Sequence, residues 1–190
     1  MLNKKAIIVL SSMFLLAGCS SDVAKENKTN VSNEQSSKET GEQNRLKKYS
    51  KNIQGGEFIK KSSIKDNAIS IEYYKDYKEY RNYNPKSRVS EVLHLAYMNM
   101  DRVKEILFIE NVRLLREFPD AKSSEIKIYY KDKEYYVKVK REEINKYLGI
   151  NVEKLKANDE SWEKEFISKY STKKEIEKFY NKFVKESEVK

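Results

Sequence analysis

Glu125-Ile126-Lys127-Ile128-Tyr129-Tyr130, Lys131-Asp132-Lys133 and Glu134-Tyr135-Tyr136-Val137-Lys138-Val139-Lys140 form the stretch that decides the fold. Ile126, Ile128 and Tyr130 alternate with polar residues, and so do Tyr135, Val137 and Val139. Residues two apart share one face of a strand, so the pattern predicts two half-buried strands. Lys131-Asp132-Lys133 reads as the hairpin turn between them. One face of hairpin 125–140 is apolar and needs a cover. The other carries Lys127, Tyr129, Tyr136, Lys138 and Lys140.

Upstream, Asn67 to Tyr73 alternates in the same way, with Ile69, Ile71 and Tyr73 on one face. Tyr74 to Tyr83 fits a helical turn or a loop equally. Asn84-Pro85 then reads as an N-cap followed by proline in the first helical position. Val89, Val92, Leu93, Ala96, Met100, Val103 and Leu107 follow at spacings of three and four, which predicts a helix with these residues inward. Ile106-Leu107-Phe108-Ile109 is apolar all round and is expected to be deeply buried. The pattern stops at Pro119-Asp120, with a break expected near Asn99-Met100-Asp101.

Downstream, Arg141 to Leu148 is expected to be a helix ended by Gly149. A second helix starts near Asp159 and buries Trp162, Phe166 and Ile167. A third begins with the capping box of Thr172 and Glu175 and buries Ile176, Phe179, Tyr180 and Phe183. Together these elements predict a single α+β domain over residues 57–187, a small, mainly antiparallel sheet packed against several helices.

The N-terminal end reads differently. Lys4 and Lys5 precede an apolar run from Ala6 to Leu16, too short for a spanning helix, which needs roughly twenty residues. The run ends in Leu16-Ala17-Gly18-Cys19, which resembles the lipobox of bacterial lipoproteins. The resemblance implies a diacylglyceryl lipid (palmitate among its acyl chains) on Cys19 and a cut between Gly18 and Cys19. It further implies that residues 1–18 are a removed signal peptide and that the protein is held on the extracytoplasmic face of the cell membrane. With its polar, Lys/Asn/Glu-rich chain, the protein is similar to small uncharacterised lipoproteins of low-GC Gram-positive bacteria. Residues 19–56, mostly Ser, Asn, Lys, Glu, Gln and Thr, carry too few apolar side chains to offset ordering entropy and are expected to be a disordered tether.

Several chemistries find no footing in the residues. Cys19 is the one cysteine of the chain, so lipidation leaves no disulfide, thiol nucleophile or cysteine metal site. His94 is the one histidine and sits between two leucines on an expected helix. Glu142 and Glu143 are neighbours on a helix and point about 100° apart, which suits helix-start charges better than paired acid–base work. Neither a phosphate-binding glycine loop nor a calcium-loop spacing of carboxylates occurs. No cofactor and no metal is expected.

The chain has 39 Lys and Arg against 30 Asp and Glu, a net charge of +9, and the excess lies after residue 45. Tyrosines and cations interleave there, notably Tyr77, Tyr80 and Arg81 before the long helix and Lys127, Tyr129, Tyr136, Lys138 and Lys140 on the hairpin. Such a face suits an anionic envelope polymer or another envelope protein, with nucleic acid a weaker candidate. Each tyrosine also fits as an ordinary half-buried strand or helix residue. The expected function is a non-enzymatic, membrane-anchored binding module. The alternatives are an envelope enzyme or enzyme accessory acting on wall polymers, and an exclusion or immunity lipoprotein of a mobile element. If Cys19 carries the anchor, Cys19→Ala leaves the chain unprocessed or secreted. Cell fractionation with mass spectrometry checks this, and a mature-sized, membrane-bound variant would refute it.

Overall fold

The computed structural model describes residues 40–189; the expected signal peptide, the Gly18–Cys19 junction and the first part of the expected tether lie outside them. Five strands form one sheet in the order β1 (Ile59–Lys65), β2 (Ala68–Tyr73), β3 (Ser123–Tyr130), β4 (Lys133–Lys140) and β5 (Lys185–Glu188). Only β2 and β3 run parallel; the other three pairings are antiparallel. The domain is therefore α+β, as the hairpin predicts. Ile71, Ile126 and Val137 stand in register across β2, β3 and β4 and are fully buried.

The hairpin turn is tighter than expected. Lys133 pairs with Tyr130 as the first residue of β4, leaving Lys131 and Asp132 as a two-residue loop. Both have positive φ, 50° and 61°, the geometry that matches the twist of the flanking strands. Asp66 and Asn67 do the same between β1 and β2, at 51° and 60°. Asp and Asn tolerate this region better than most residues; Lys131 is the costly member of the set.

A parallel pair needs a crossover, and residues 74–122 supply it. They contain α2 (Tyr77–Tyr83), α3 (Glu91–Tyr97) and a long central helix over 100–117. Asn84-Pro85 does not start a helix. Asn84 instead closes α2, and Ser90 caps α3 by accepting from the Leu93 N–H at 3.2 Å. The expected break comes at Met98-Asn99. The central helix follows as α4 (Met100–Glu105), a π turn (Ile106–Glu110) and α5 (Asn111–Glu117). It packs on β3 on one side and on α8 (Lys173–Phe183) on another. Phe108 stacks on Phe179 with ring centres 4.2 Å apart, and Phe166 meets Phe108 edge-on at 5.6 Å.

Several polar groups tie this core together. Asn111 donates to Leu107 O at 2.7 Å and accepts from Ser124 Oγ at 2.6 Å, which pins the helix to β3. Glu110 is buried beside Arg113, 3.2 Å away. Burial lifts its carboxyl above the ordinary range, while Arg113 pulls it back. The Arg141 guanidinium donates to the Ala121, Leu115 and Phe118 carbonyls at 2.8–2.9 Å, tying the end of β4 to the C-terminus of α5. The downstream helices follow the sequence reading: α6 (Arg141–Leu148) ends at Gly149 with φ 68°. A wide turn over Trp162–Ile167 leads into α7 (Ser168–Tyr170), and Thr172 caps α8.

The domain starts earlier than expected. Residues 40–49 form helix α1, and a short turn at Ser50–Asn52 follows, so 40–56 is not tether. Leu46 and Ile53 are buried in the core, and Tyr49 packs edge-on against Phe118 at 5.8 Å. Gln43 accepts from the Ile64 N–H at 2.8 Å and donates to Ser62 O at 3.0 Å, so its amide continues the hydrogen-bonding of β1. These few anchors, spaced on one helical face, outweigh the polar composition that suggested disorder. Gly55, with φ 68°, lets the chain turn where a Cβ would stand 3.0 Å from the Tyr73 ring. Leu46→Ala is expected to cost about 3 kcal/mol of stability, while Lys48→Ala on the exposed side costs almost nothing. Urea unfolding of both variants checks the difference.

Candidate functional site

The sheet buries one face and leaves the other open. Across β2, β3 and β4 the open face reads Ser70–Glu125–Lys138 in one row and Glu72–Lys127–Tyr136 in the next. Tyr129 stands opposite Glu134. Lys127 pairs with Glu134 at 3.3 Å and Lys138 with Glu125 at 3.2 Å. Tyr136 donates to Glu125 at 2.9 Å. Burial works to raise the Glu125 carboxyl, but bonds from Tyr136, Ser70 and Lys138 outweigh it and hold the group below its ordinary range. The Tyr129 and Tyr136 phenols are pushed up to about 12 by burial and by the neighbouring glutamates. The hairpin face is thus charge-balanced, not basic. Lys140 alone of its three lysines is exposed and free of an ion pair among the described residues.

The other predicted residues sit on α2 and divide by role. Tyr80 is 1% exposed and its hydroxyl meets Glu57 at 2.8 Å and Ser87 at 2.6 Å. Arg81 donates to Ser87 O at 2.5 Å. Both brace the loop over 84–90; Tyr80 is buried and Arg81 half-buried, with its guanidinium turned to the loop carbonyls. Tyr77 donates to Val89 O at 3.0 Å, yet its ring also lines a groove.

That groove, about 360 Å³, lies between α2, α3 and the β3–β4 turn. Its walls are Tyr77, His94, Leu95, Met98, Tyr129 and Tyr130. It brings Tyr77 and Tyr129 together from segments far apart in sequence. Lys75, Lys78 and Lys131 stand at its rim with Asp76, Glu91 and Asp132. None of the three lysines has an ion pair among the described residues, although Lys131 lies 5.3 Å over the Tyr130 ring. Asp76 is occupied as the α2 cap, accepting from the Glu79 N–H at 2.7 Å. The size is that of a small-ligand site, lined by aromatic rings with exposed cations at the edge.

His94 is the buried polar group of the groove wall, 7% exposed. It meets Phe58 edge-on at 4.8 Å and stacks with Tyr80 at 6.3 Å. Its Nδ1 has no hydrogen-bond partner among the described residues. Burial pushes its pKa below 6.5, against the pull of Asp76 and Glu91. No group of three or more His, Cys, Asp or Glu among the described residues could hold a metal ion. No described helix is long and apolar enough to cross a membrane.

The sequence reading found the hairpin cations but overlooked Glu72, Glu125 and Glu134 between them. The alternation that placed Lys127 outward places Glu125 outward too, so the signal was present. His94 and Met98 as groove wall had no such signal, because the site forms only when α3 meets the hairpin turn. No protein-family model matches the chain, and comparison with curated proteins and with solved structures gives no match.

Neutral His94 fits the fold better than its protonated form. Its folded pKa lies below the unfolded one, so stability falls as pH drops through about 6.5 and stops falling below the folded pKa. The lowered carboxylates, Glu79, Glu125, Glu153, Asp159 and Glu186, add their losses in a more acidic range. Thermal melts between neutral pH and about 5.5 are expected to show a smaller drop in Tm for His94→Gln than for the wild type. Parallel curves would exclude His94 as the cause.

Proposed function

We propose that this protein is a binding module, lipid-anchored through Cys19 on the extracytoplasmic face of the membrane. Its groove between α2, α3 and the β3–β4 turn takes an anionic envelope polymer bearing phosphate or carboxylate groups. One observation carries the reading. The rim lysines Lys75, Lys78 and Lys131 are free of ion pairs among the described residues, whereas Lys127 and Lys138 on the open sheet are each held by a glutamate. Free cations beside tyrosine faces can engage an anion without first breaking an internal pair.

The reading as an envelope enzyme draws on Glu72, Glu125 and Glu134, which line a shared depression on the open sheet. A carboxyl serving as general acid needs its proton held near neutral pH. Glu125 is displaced the opposite way by Tyr136, Ser70 and Lys138. The binding module is therefore the better fit.

Binding of the chain from Ser20 onward to isolated cell-wall polymer, measured by co-sedimentation at low and high salt, tests the proposal. Lys75→Glu/Lys78→Glu/Lys131→Glu is expected to weaken binding about tenfold or more, with the effect shrinking as salt rises. Lys127→Glu/Lys138→Glu is expected to matter less. An equal loss in both variants, or none in the first, would overturn the groove assignment.

A further inference from the structure

Helix α3 is turned over relative to its sequence pattern. Its inward positions are His94, Tyr97 and Met98, spaced three and four apart, and these meet Phe58, Gly55 and the groove. Val92, Leu93 and Leu95 are left 75%, 60% and 61% exposed. With Tyr83 they are the exposed large hydrophobic residues of the described chain. Single exposed apolar side chains are ordinary on protein surfaces. Three on one seven-residue helix, with exposed Ala96 beside them, form a patch, and patches mark contact surfaces.

The surroundings of the patch say what covers it. The loop over 84–90 that leads into α3 holds Lys86 and Arg88, both exposed, with no ion pair among the described residues and no acidic residue in the loop. Glu91 is the one acidic residue on α3. A second copy of this chain would bring like charges together across the contact, since the net charge of +9 falls only to +7 when Lys4 and Lys5 leave with residues 1–18. An anionic lipid surface attracts the same charges and takes up the apolar side chains at the boundary of headgroups and acyl chains. Place agrees with this: about twenty residues separate Cys19 from Thr40, so a lipid on Cys19 keeps the domain within about 75 Å of the bilayer at full extension.

We propose that α3 is a membrane-contact helix. Val92, Leu93 and Leu95 dip into the outer surface of an anionic bilayer while Lys86 and Arg88 meet lipid phosphates. The inference rests on the lipid-anchored reading for its location, but the contact itself needs no lipid on the protein. Leu95 belongs to both the patch and the groove wall, so the two surfaces adjoin.

All buried core residues of the described fold lie between Leu46 and Tyr180, so the chain from Ser20 onward keeps that fold and lacks the anchor. It is mixed with sedimentable vesicles of phosphatidylglycerol and phosphatidylcholine, and with vesicles of phosphatidylcholine alone. Partition onto the anionic vesicles is expected to exceed that onto the neutral ones. Val92→Ser/Leu93→Ser/Leu95→Ser is expected to reduce it at least about tenfold with an unchanged circular dichroism spectrum. Lys86→Glu/Arg88→Glu is expected to reduce it at low salt. Absence of wild-type partition, or equal partition of the triple serine variant, would overturn the proposal. So would a wild-type dimer in light scattering that the serine variant dissolves, which would make the patch a contact between copies. Cys19→Ala in cells reads the anchor separately, and its failure leaves the vesicle result standing.

Discussion

Five consecutive residues, Ile106 to Glu110, are buried on every side, and the rest of the domain is arranged to cover them. A helix usually buries one stripe and exposes the other. Here the middle of the central helix has no exposed stripe, so it needs partners all round. β3 supplies one side, and α8 with Phe179 supplies another. The turn before β1 approaches through Gly55, which lies 3.7 Å from Ile106 by its missing Cβ. The widened π turn falls on this segment, where packing on both flanks can hold it. The Asn111–Ser124 pair then fixes its height on the sheet, because a buried amide left without that partner would cost about 1–3 kcal/mol.

The elements that carry strong period-two or capped patterns were legible in the sequence: the hairpin, β2, α6 with Gly149, and α8 with Thr172. Those that failed lacked a local signal. β1 is an edge strand whose residues, Ile-Lys-Lys-Ser-Ser-Ile-Lys, blur the alternation, and β5 is wholly exposed. α1 shows only Leu46 and Tyr49 as anchors amid polar residues, and its order comes from the partners it meets. α3 failed in an instructive way. Val92 and Leu93 fit the expected helical stripe, but the aromatic pocket of Phe58, Tyr77 and Tyr80 takes His94 instead. Composition ranks valine and leucine as inward, and only the tertiary surroundings reverse the order.

Charge was legible in amount but not in arrangement. The excess of lysine and arginine suggested a basic face on the hairpin. The structure spends many of those cations on internal partners: Lys127 and Lys138 on the sheet, Lys60 with Glu79 at 2.6 Å, and Lys104 with Glu177 at 2.5 Å. Cations without an ion pair among the described residues include Lys75, Lys78, Lys86, Arg88 and Lys131 around α2, the loop before α3 and the hairpin turn, with others spread along α1, β1 and the C-terminal helices. Exposed pairs of this kind add little stability, commonly under about 1 kcal/mol each. Their larger effect is to remove charge from one surface and leave it on another.

The amide of Gln43, set against β1, has a consequence beyond local bonding. An open strand edge is a template on which a second chain can grow a ladder. At this edge a side chain from α1 already occupies the Ile64 N–H and the Ser62 carbonyl, as a neighbouring strand would. At the opposite edge β5 offers Lys185-Glu186-Ser187-Glu188, all exposed and mostly charged. Both margins are thus poor nuclei for intermolecular sheet growth. Crowded molecules of this fold therefore find little at either edge on which to extend a shared ladder.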